Sequence, residues 1–209
     1  MFAARFPSLA QALTSLSRDD LLIASRQIEF GDEFALLPEE AASLPSRNAG
    51  TRRASGAARI VARELMERLG FPPSALPKGP TGAPLWPAGV TGSIAHDDGI
   101  ALAAIGNKRR ISGVGIDLET AEPLVADLMD LVVTPGDRAQ IASDPLQGKL
   151  IFVIKEAVYK AVHPQDCVFL EFGDIEVDLT RFQAVTRAGR VIEIRWCVTA
   201  DRIVALALT

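Results

Sequence analysis

The 209 residues carry 22 Lys plus Arg against 26 Asp plus Glu, and a formal net charge of −4 argues against a general nucleic-acid binder, which shows a basic excess. With 48% hydrophobic and 23% charged residues, the composition is that of a folded globular protein and excludes intrinsic disorder. A chain of this length buries about 70% of the surface that its unfolded form exposes, so it needs no metal or disulfide staple, and one domain or two small ones both fit.

Residues 1–45 are short apolar pieces, Leu21-Leu22-Ile23-Ala24 among them, broken by Pro7, Pro38 and Pro45, and they support little assignment. From about Ser55 to Leu69 the residues Ala57, Ile60, Val61, Leu65 and Leu69 recur at helical spacing, and Gly70 with Pro72-Pro73 supplies the stop. Six prolines and three glycines between Pro72 and Gly89 exclude a regular element there. Three strands follow, Val90–Ala95, Ile100–Ile105 and Ile111–Glu119, separated by the turn signals Asp97-Asp98-Gly99 and Gly106-Asn107-Lys108. An antiparallel meander is the expected arrangement. It would bring His96 to the same sheet edge as Asp117 and Glu119.

A second helix is expected from about Lys149 to Val162, with His163-Pro164 ending it. Strands return at Asp174–Leu179, Val191–Thr199 and Ile203–Leu208, the Gly189 turn falling between the first two. Helix then strands thus occurs twice, and the segment 96–104 resembles 199–207. A duplicated α+β unit of about 100 residues fits the length; chance similarity of two apolar hairpins is the alternative. Cys167 and Cys197 stand thirty residues apart without a Cys-x-x-Cys or a Cys/His cluster, so neither a disulfide framework nor a zinc site is expected. No apolar run approaches the roughly 20 residues that span a bilayer, and after Arg5 no sustained apolar segment precedes a cleavage site. A cytoplasmic location is the expectation.

Three segments carry chemistry. In Ile111-Ser-Gly-Val-Gly-Ile-Asp-Leu-Glu119, period two puts Val114, Ile116 and Leu118 on one face and Gly113, Gly115, Asp117 and Glu119 on the other. Two carboxylates two apart suit one hard cation such as magnesium, and two residues without side chains leave room for a ligand beside the backbone. The plainer reading is a strand end with two solvated acids. On the second helix, Glu156 and Lys160 lie one turn apart, which by spacing alone is an ion pair contributing roughly 0.2–0.5 kcal/mol. That helix is apolar nearly all round and should be mostly buried, so its charges need partners or a role. Glu156 would complete a metal site, and Lys160 would face an anionic oxygen. Finally, Arg47 to Arg68 holds six arginines against Glu64 and Glu67, a basic stretch suited to phosphate or, residue by residue, a solvated helix face with Arg63 and Glu67 paired.

Gly92-Ser-Ile-Ala-His96, Val114-Gly-Ile-Asp-Leu-Glu119 and Lys155-Glu-Ala-Val-Tyr-Lys160, in this order, resemble the three signatures of the 4′-phosphopantetheinyl transferases of the surfactin-synthetase type. The Ala83-Pro-Leu-Trp-Pro87 loop and the Arg52-Arg53 to Arg63 helix are similar to the enterobactin-synthetase component D subgroup, so the resemblance covers roughly residues 47–207. It implies a monomer of two similar α+β halves, 1–112 and 113–209, each a helix packed on an antiparallel sheet, with the active site between them. The implied activity moves the phosphopantetheine arm of coenzyme A onto a serine of an apo carrier protein. Asp117, Glu119 and Glu156 would then hold magnesium or manganese, and His96 would contact a phosphate. Lys160 would stabilise the leaving bisphosphate, Glu156 would be the base for the serine, and Lys155 would assist cofactor binding. Arg52 or Arg53 would meet the 3′-phosphate of coenzyme A. Ala95 and Ala83 depart from the family's pattern, and Val132-Val133-Thr134-Pro135-Gly136-Asp137 only loosely resembles its Phe-Thr-x-x-Glu stretch. A non-catalytic carrier- or coenzyme-A-binding homologue is the alternative on the same fold, and a nucleotide hydrolase would need a phosphate-binding loop that the chain lacks.

Overall fold

The computed structural model describes residues 8–97, 99–141 and 144–209; Arg5, Pro7 and Asp98, which entered the sequence reading, lie outside them. The elements run α1 (Leu9–Leu16), β1 (Leu21–Gln27), α2 (Pro38–Ser43), α3 (Ala49–Arg68), β2 (Val90–His96), β3 (Ile100–Asn107) and β4 (Val114–Thr120). They continue through α4 (Ala126–Val132), α5 (Pro135–Arg138), α6 (Gln147–Asp166), β5 (Ile175–Asp178), β6 (Gln183–Thr186), β7 (Val191–Val198) and β8 (Arg202–Leu208). Two antiparallel sheets result, one ordered β1-β3-β2 and the other β4-β8-β7-β6-β5.

The period of two in the strands sets the layering. On β3, Leu102 and Ala104 face one way and Ala101, Ala103 and Ile105 the other; on β8, Val204 and Leu206 oppose Ile203, Ala205 and Ala207. One face of each sheet packs against the other sheet in a shared core that includes Ala95, Leu102, Val114, Ile116, Leu118, Val204 and Leu206. The outer faces are covered by the two 20-residue helices, α3 on the smaller sheet through Ala58, Val61 and Leu65, and α6 on the larger through Ile151, Ile154 and Val158. The order of layers is helix, sheet, sheet, helix, and each half is the α+β unit expected from the repeat. Among the described residues no helix is long and apolar enough to cross a membrane.

Several expectations change. The meander does not form: β2 and β3 make the hairpin, but β4 pairs with β8, Asp117 opposite Ala205, while β1 takes the free side of β3. The six residues 108–113 carry the chain from one sheet to the other, and Ser112 N–H donates to the Thr209 carbonyl at 2.8 Å while Thr209 N–H donates to that of Gly113 at 3.0 Å. The first long helix starts at Ala49, because the Asn48 side chain caps it by accepting from Thr51 N–H at 3.1 Å. The second runs past Pro164 to Asp166 and ends where Cys167 turns left-handed at φ 52°. A proline this close to the end removes one N–H and leaves the preceding turns intact. The stretch between Pro72 and Gly89 forms no helix and no named strand, as expected.

The glycines of β4 serve a different purpose from the one expected. A Cβ at Gly115 would collide with the Ala157 carbonyl, and one at Gly113 with Gln165 and Ala161. The space beside this backbone belongs to α6, which seats directly on the strand. Gly115→Ala should therefore destabilise the protein by at least about 2 kcal/mol, since neither backbone can yield without moving a sheet or a helix. Gly173→Ala, where no atom lies within 4 Å of the added carbon, should stay within about 0.5 kcal/mol. Urea denaturation of both variants checks this, and equal losses would contradict the close seating.

Candidate functional site

The seating of α6 on β4 brings side chains of both elements together. Lys160 Nζ lies 2.7 Å from Asp117 Oδ1 and donates to the Ile116 carbonyl at 3.2 Å. Four residues earlier, Glu156 projects beside the same strand and feels both carboxylates there. Burial pushes its pKa up from the ordinary 4.5, the Asp117 charge adds to this, Lys160 opposes it, and Glu119 adds again. Glu119 itself is held by Lys149 Nζ at 3.3 Å. Spacing alone suggested a Glu156–Lys160 helix pair; instead the lysine bonds across to the strand.

His96, at the end of β2, reaches this cluster by another route than the expected sheet edge. The two sheets pack face to face, and β2 lies over β4. The side chain keeps solvent contact at the rim, yet the desolvating cleft walls and then the Lys160 ammonium push its pKa below 6.5, with Asp97 and Asp117 pulling the other way. The imidazole is therefore mainly neutral at pH 7 and has one N–H to donate. The adjoining Asp97 carboxylate is 2.6 Å from Arg202 Nε, which ties the β2–β3 turn to the β7–β8 turn.

A cleft of about 490 Å³ opens between the halves. One wall carries Ser55 and Arg59 from α3, with Lys78 and Trp86 from the proline-rich loop. His96 closes one side, and Glu156, Tyr159, Lys160 and His163 line α6 opposite. Basic groups from both halves thus converge on one concave surface, with the Glu156 carboxylate in its lining.

Three expected residues do not join it. Arg53 is clamped by Glu33, Nε to Oε2 at 3.0 Å and Nη2 to Oε1 at 3.1 Å, and its guanidinium holds the Glu33 carboxyl down at about 2. Arg52 donates to the Ala41 carbonyl at 3.4 Å, and neither arginine lines the cleft. Lys155 points into the core of the second half, fully buried, with Nζ 2.6 Å from Asp137 Oδ2 and bonds to the carbonyls of Val132 and Phe172 at 2.8 and 2.9 Å. Burial pulls its pKa down and the Asp137 carboxylate pulls it back up. Lys155, expected to assist cofactor binding, thus lies away from the cleft, because residues 155 and 156 point to different sides of one helix. Arg59 and Lys78 were missed. Arg59 sits seven residues beyond Arg52, two helical turns on, and its distance from the first arginine pair was the only signal; Lys78 is a lone cation in a loop.

As the side chains lie, no three His, Cys, Asp or Glu groups among the described residues stand in metal-binding proximity, because Asp117 and Glu119 each turn to a lysine. The donor set nonetheless fits a hard divalent cation. Its members are three side chains with oxygen donors, and Glu156, raised by burial and then by the Asp117 charge, is a group whose ionised form a nearby cation would favour.

Fold and cleft define a two-half α+β protein whose halves meet at a cleft lined by cationic side chains and Glu156. Two family models match successive stretches of the chain, the 4′-phosphopantetheinyl transferase N-terminal domain over residues 39–106 and the 4′-phosphopantetheinyl transferase superfamily over residues 113–207. The chain is 34% identical over 153 residues to the 4′-phosphopantetheinyl transferase Npt of Nocardia iowensis, covering 72% of this chain and 69% of that protein. It is 33% identical over 145 residues to the 4′-phosphopantetheinyl transferase PptT of Mycobacterium tuberculosis, covering 68% and 64%. With enterobactin synthase component D of Salmonella typhimurium it shares 30% over 178 residues, covering 77% and 74%. The chain belongs to the 4′-phosphopantetheinyl transferase superfamily. Coenzyme A as substrate and a divalent metal are general to this family.

The raised pKa of Glu156 carries a sign that can be tested. The folded protein holds the Glu156 proton more tightly than the unfolded chain does, so this group favours folding below about pH 4.5. It turns into a cost as the pH rises through the folded pKa. At pH 7 and without metal, Glu156→Gln should melt higher than the unsubstituted protein, and added magnesium should stabilise the unsubstituted protein more than the variant. Calorimetric melts with chelator and with magnesium read both effects; a lower metal-free Tm for the variant would contradict the reading.

Proposed function

We propose that this protein transfers the 4′-phosphopantetheine arm of coenzyme A to a serine of an apo acyl- or peptidyl-carrier protein, releasing adenosine 3′,5′-bisphosphate. The observation that carries this reading is that Glu156 and Lys160, the latter paired with Asp117, line one cleft together with Arg59, Lys78 and His96. Coenzyme A carries three phosphates, and fixed cations of this kind suit them. The partner supplies the nucleophile, so the cleft needs no activated serine or cysteine of its own.

Asp117, Glu119 and Glu156 would hold a divalent ion, for which we favour magnesium, and when bound it neutralises charge on the pyrophosphate. The chain's own groups divide the remaining work. Glu156 takes the proton from the serine Oγ as that oxygen forms its bond to the phosphorus bearing the pantetheine arm. The pyrophosphate P–O bond breaks on the opposite side, and Lys160 neutralises the charge left on the departing bisphosphate. Neutral His96 donates its N–H to a phosphate oxygen at the rim. Division of the chain at residues 1–112 and 113–209, with the site at the seam, is supported by the separate sheets of the two halves. We further favour a monomer acting in the cytoplasm, without nucleic-acid partners.

Incubation with coenzyme A, magnesium and a panel of apo carrier proteins, followed by mass spectrometry, should add one phosphopantetheine mass to at least one carrier. Asp117→Ala should slow the transfer at least about 100-fold while the protein stays folded. A folded, unsubstituted protein that modifies no carrier would overturn the reading.

A further inference from the structure

The cationic wall of the cleft hangs from a carboxylate that the cleft does not contain. Glu40, on the short helix α2, is completely buried, and every polar atom of its side chain is engaged. Its Oε1 accepts from Leu76 N–H at 2.9 Å and from Arg63 Nη1 at 2.8 Å, and its Oε2 accepts from Leu37 N–H at 2.8 Å. The Arg59 Nε stands 3.9 Å from the same Oε1 and donates to the Leu76 carbonyl at 2.9 Å. Two residues on, Lys78 N–H donates to Ser43 Oγ at 2.8 Å, and that hydroxyl donates to the Glu40 carbonyl at 2.8 Å. Arg59 thus meets the Glu40 carboxylate directly, while the Lys78 backbone reaches α2 at Ser43, whose hydroxyl bonds the Glu40 main-chain carbonyl.

We infer that Glu40 is a positioning residue for coenzyme A: it touches no substrate, but fixes Arg59 and Lys78 at the separation that the coenzyme's phosphates require. This rests on the transferase reading above. The loop's own backbone bonds, Leu85 N–H to the Pro77 carbonyl at 2.9 Å and Gly79 N–H to that of Ala83 at 2.8 Å, hold the turn around Lys78 together, and the bond from Leu76 N–H to Glu40 anchors that turn to α2. Charge matters as well as geometry. Burial presses the Arg59 guanidinium toward losing its proton, Arg63 adds to that, and Glu40 is the opposing charge. The carboxylate thereby offsets the cost of burying the Arg59 charge without standing in the cleft, where it would repel a phosphate. Sequence reading assigned nothing to residues 1–45, so this function falls in the part of the chain that the signature motifs leave out.

The test uses the full-length chain with Glu40→Gln, which keeps the size of the side chain, removes its charge and turns an amide NH2 toward groups that themselves donate. Expected is a rise of about tenfold in Kd for coenzyme A by calorimetry without carrier, as outer supports of a charged site typically give. KM for coenzyme A should rise in parallel, with kcat and the KM for the carrier within about twofold. If the variant does not fold, Ser43→Ala, which releases only the Lys78 anchor, should raise the same KM by a smaller factor. A folded Glu40→Gln with a lower Tm and unchanged coenzyme A affinity overturns the inference and leaves the transferase reading standing, as does an unchanged KM in a folded Ser43→Ala. Failure of the unsubstituted protein to bind coenzyme A overturns both.

Discussion

The backbone of α6 lies against the backbone of β4 at a distance that only glycine at 113 and 115 permits. Everything at the base of the cleft depends on that approach. It lets the Lys160 ammonium reach across to Asp117 and the Ile116 carbonyl, and brings Glu156 into the field of two strand carboxylates. A helix one methyl further out would leave Lys160 in solvent and Glu156 with an ordinary pKa. The same approach puts stress into the site, since Glu156 is partly desolvated and stands in the field of Asp117 and Glu119. Groups arranged at such a cost to stability are typical of functional sites.

Around this seam, buried polar nodes hold the rest in register. Glu40 joins α2, α3 and the proline-rich loop on the side of the first half. On the side of the second half, Asp137 accepts from Lys155, from Val177 N–H at 2.8 Å and from Thr134 N–H at 2.9 Å, joining α5, α6 and β5. The latter node fixes the rotation of α6 about its axis. With Lys155 locked into the core, its neighbour Glu156 and the residues one turn on, Tyr159 and Lys160, necessarily face the cleft. Arg202 and Asp97 close the third side by tying together the turns of the two hairpins. Buried ion pairs contribute little net stability, but breaking one leaves an uncompensated charge, so they specify orientation strongly.

Local pattern was a good guide wherever local physics decides. The alternation on β4 separated Val114, Ile116 and Leu118, which pack between the sheets, from Asp117 and Glu119, which face α6. The helical spacing on α3 and α6 and the irregular course between Pro72 and Gly89 were likewise legible. What failed was long-range pairing. Nothing within residues 90–119 says that β4 will leave its hairpin for a strand some ninety residues later, because antiparallel register with β8 is decided by which apolar faces the whole chain brings together. Glycine without a side chain reads the same whether a ligand or a helix fills the space. The two lysines of the Lys155–Lys160 motif look alike in sequence, yet five residues of helix turn them to opposite fates. The phosphate contact expected of Arg52 or Arg53 came from the family resemblance, and the partner that holds Arg53, Glu33, lies twenty residues away in a stretch with no periodic signal. The Glu40 node was invisible for the same reason, since a buried charge is recognised by its partners and not by its neighbours in the chain.

The central claim is that α6 and β4 assemble Asp117, Glu119 and Glu156 around one cation position, with lysines holding two of them when no metal is bound. Manganese added in small amounts to the isotope-labelled protein with coenzyme A, followed by NMR of the side-chain carboxyl carbons, tests it most directly. The account expects paramagnetic broadening of the signals of residues 117, 119 and 156 together, before any other carboxylate is affected. Broadening that begins at other acidic residues, or that reaches one of the three without the others, would contradict it.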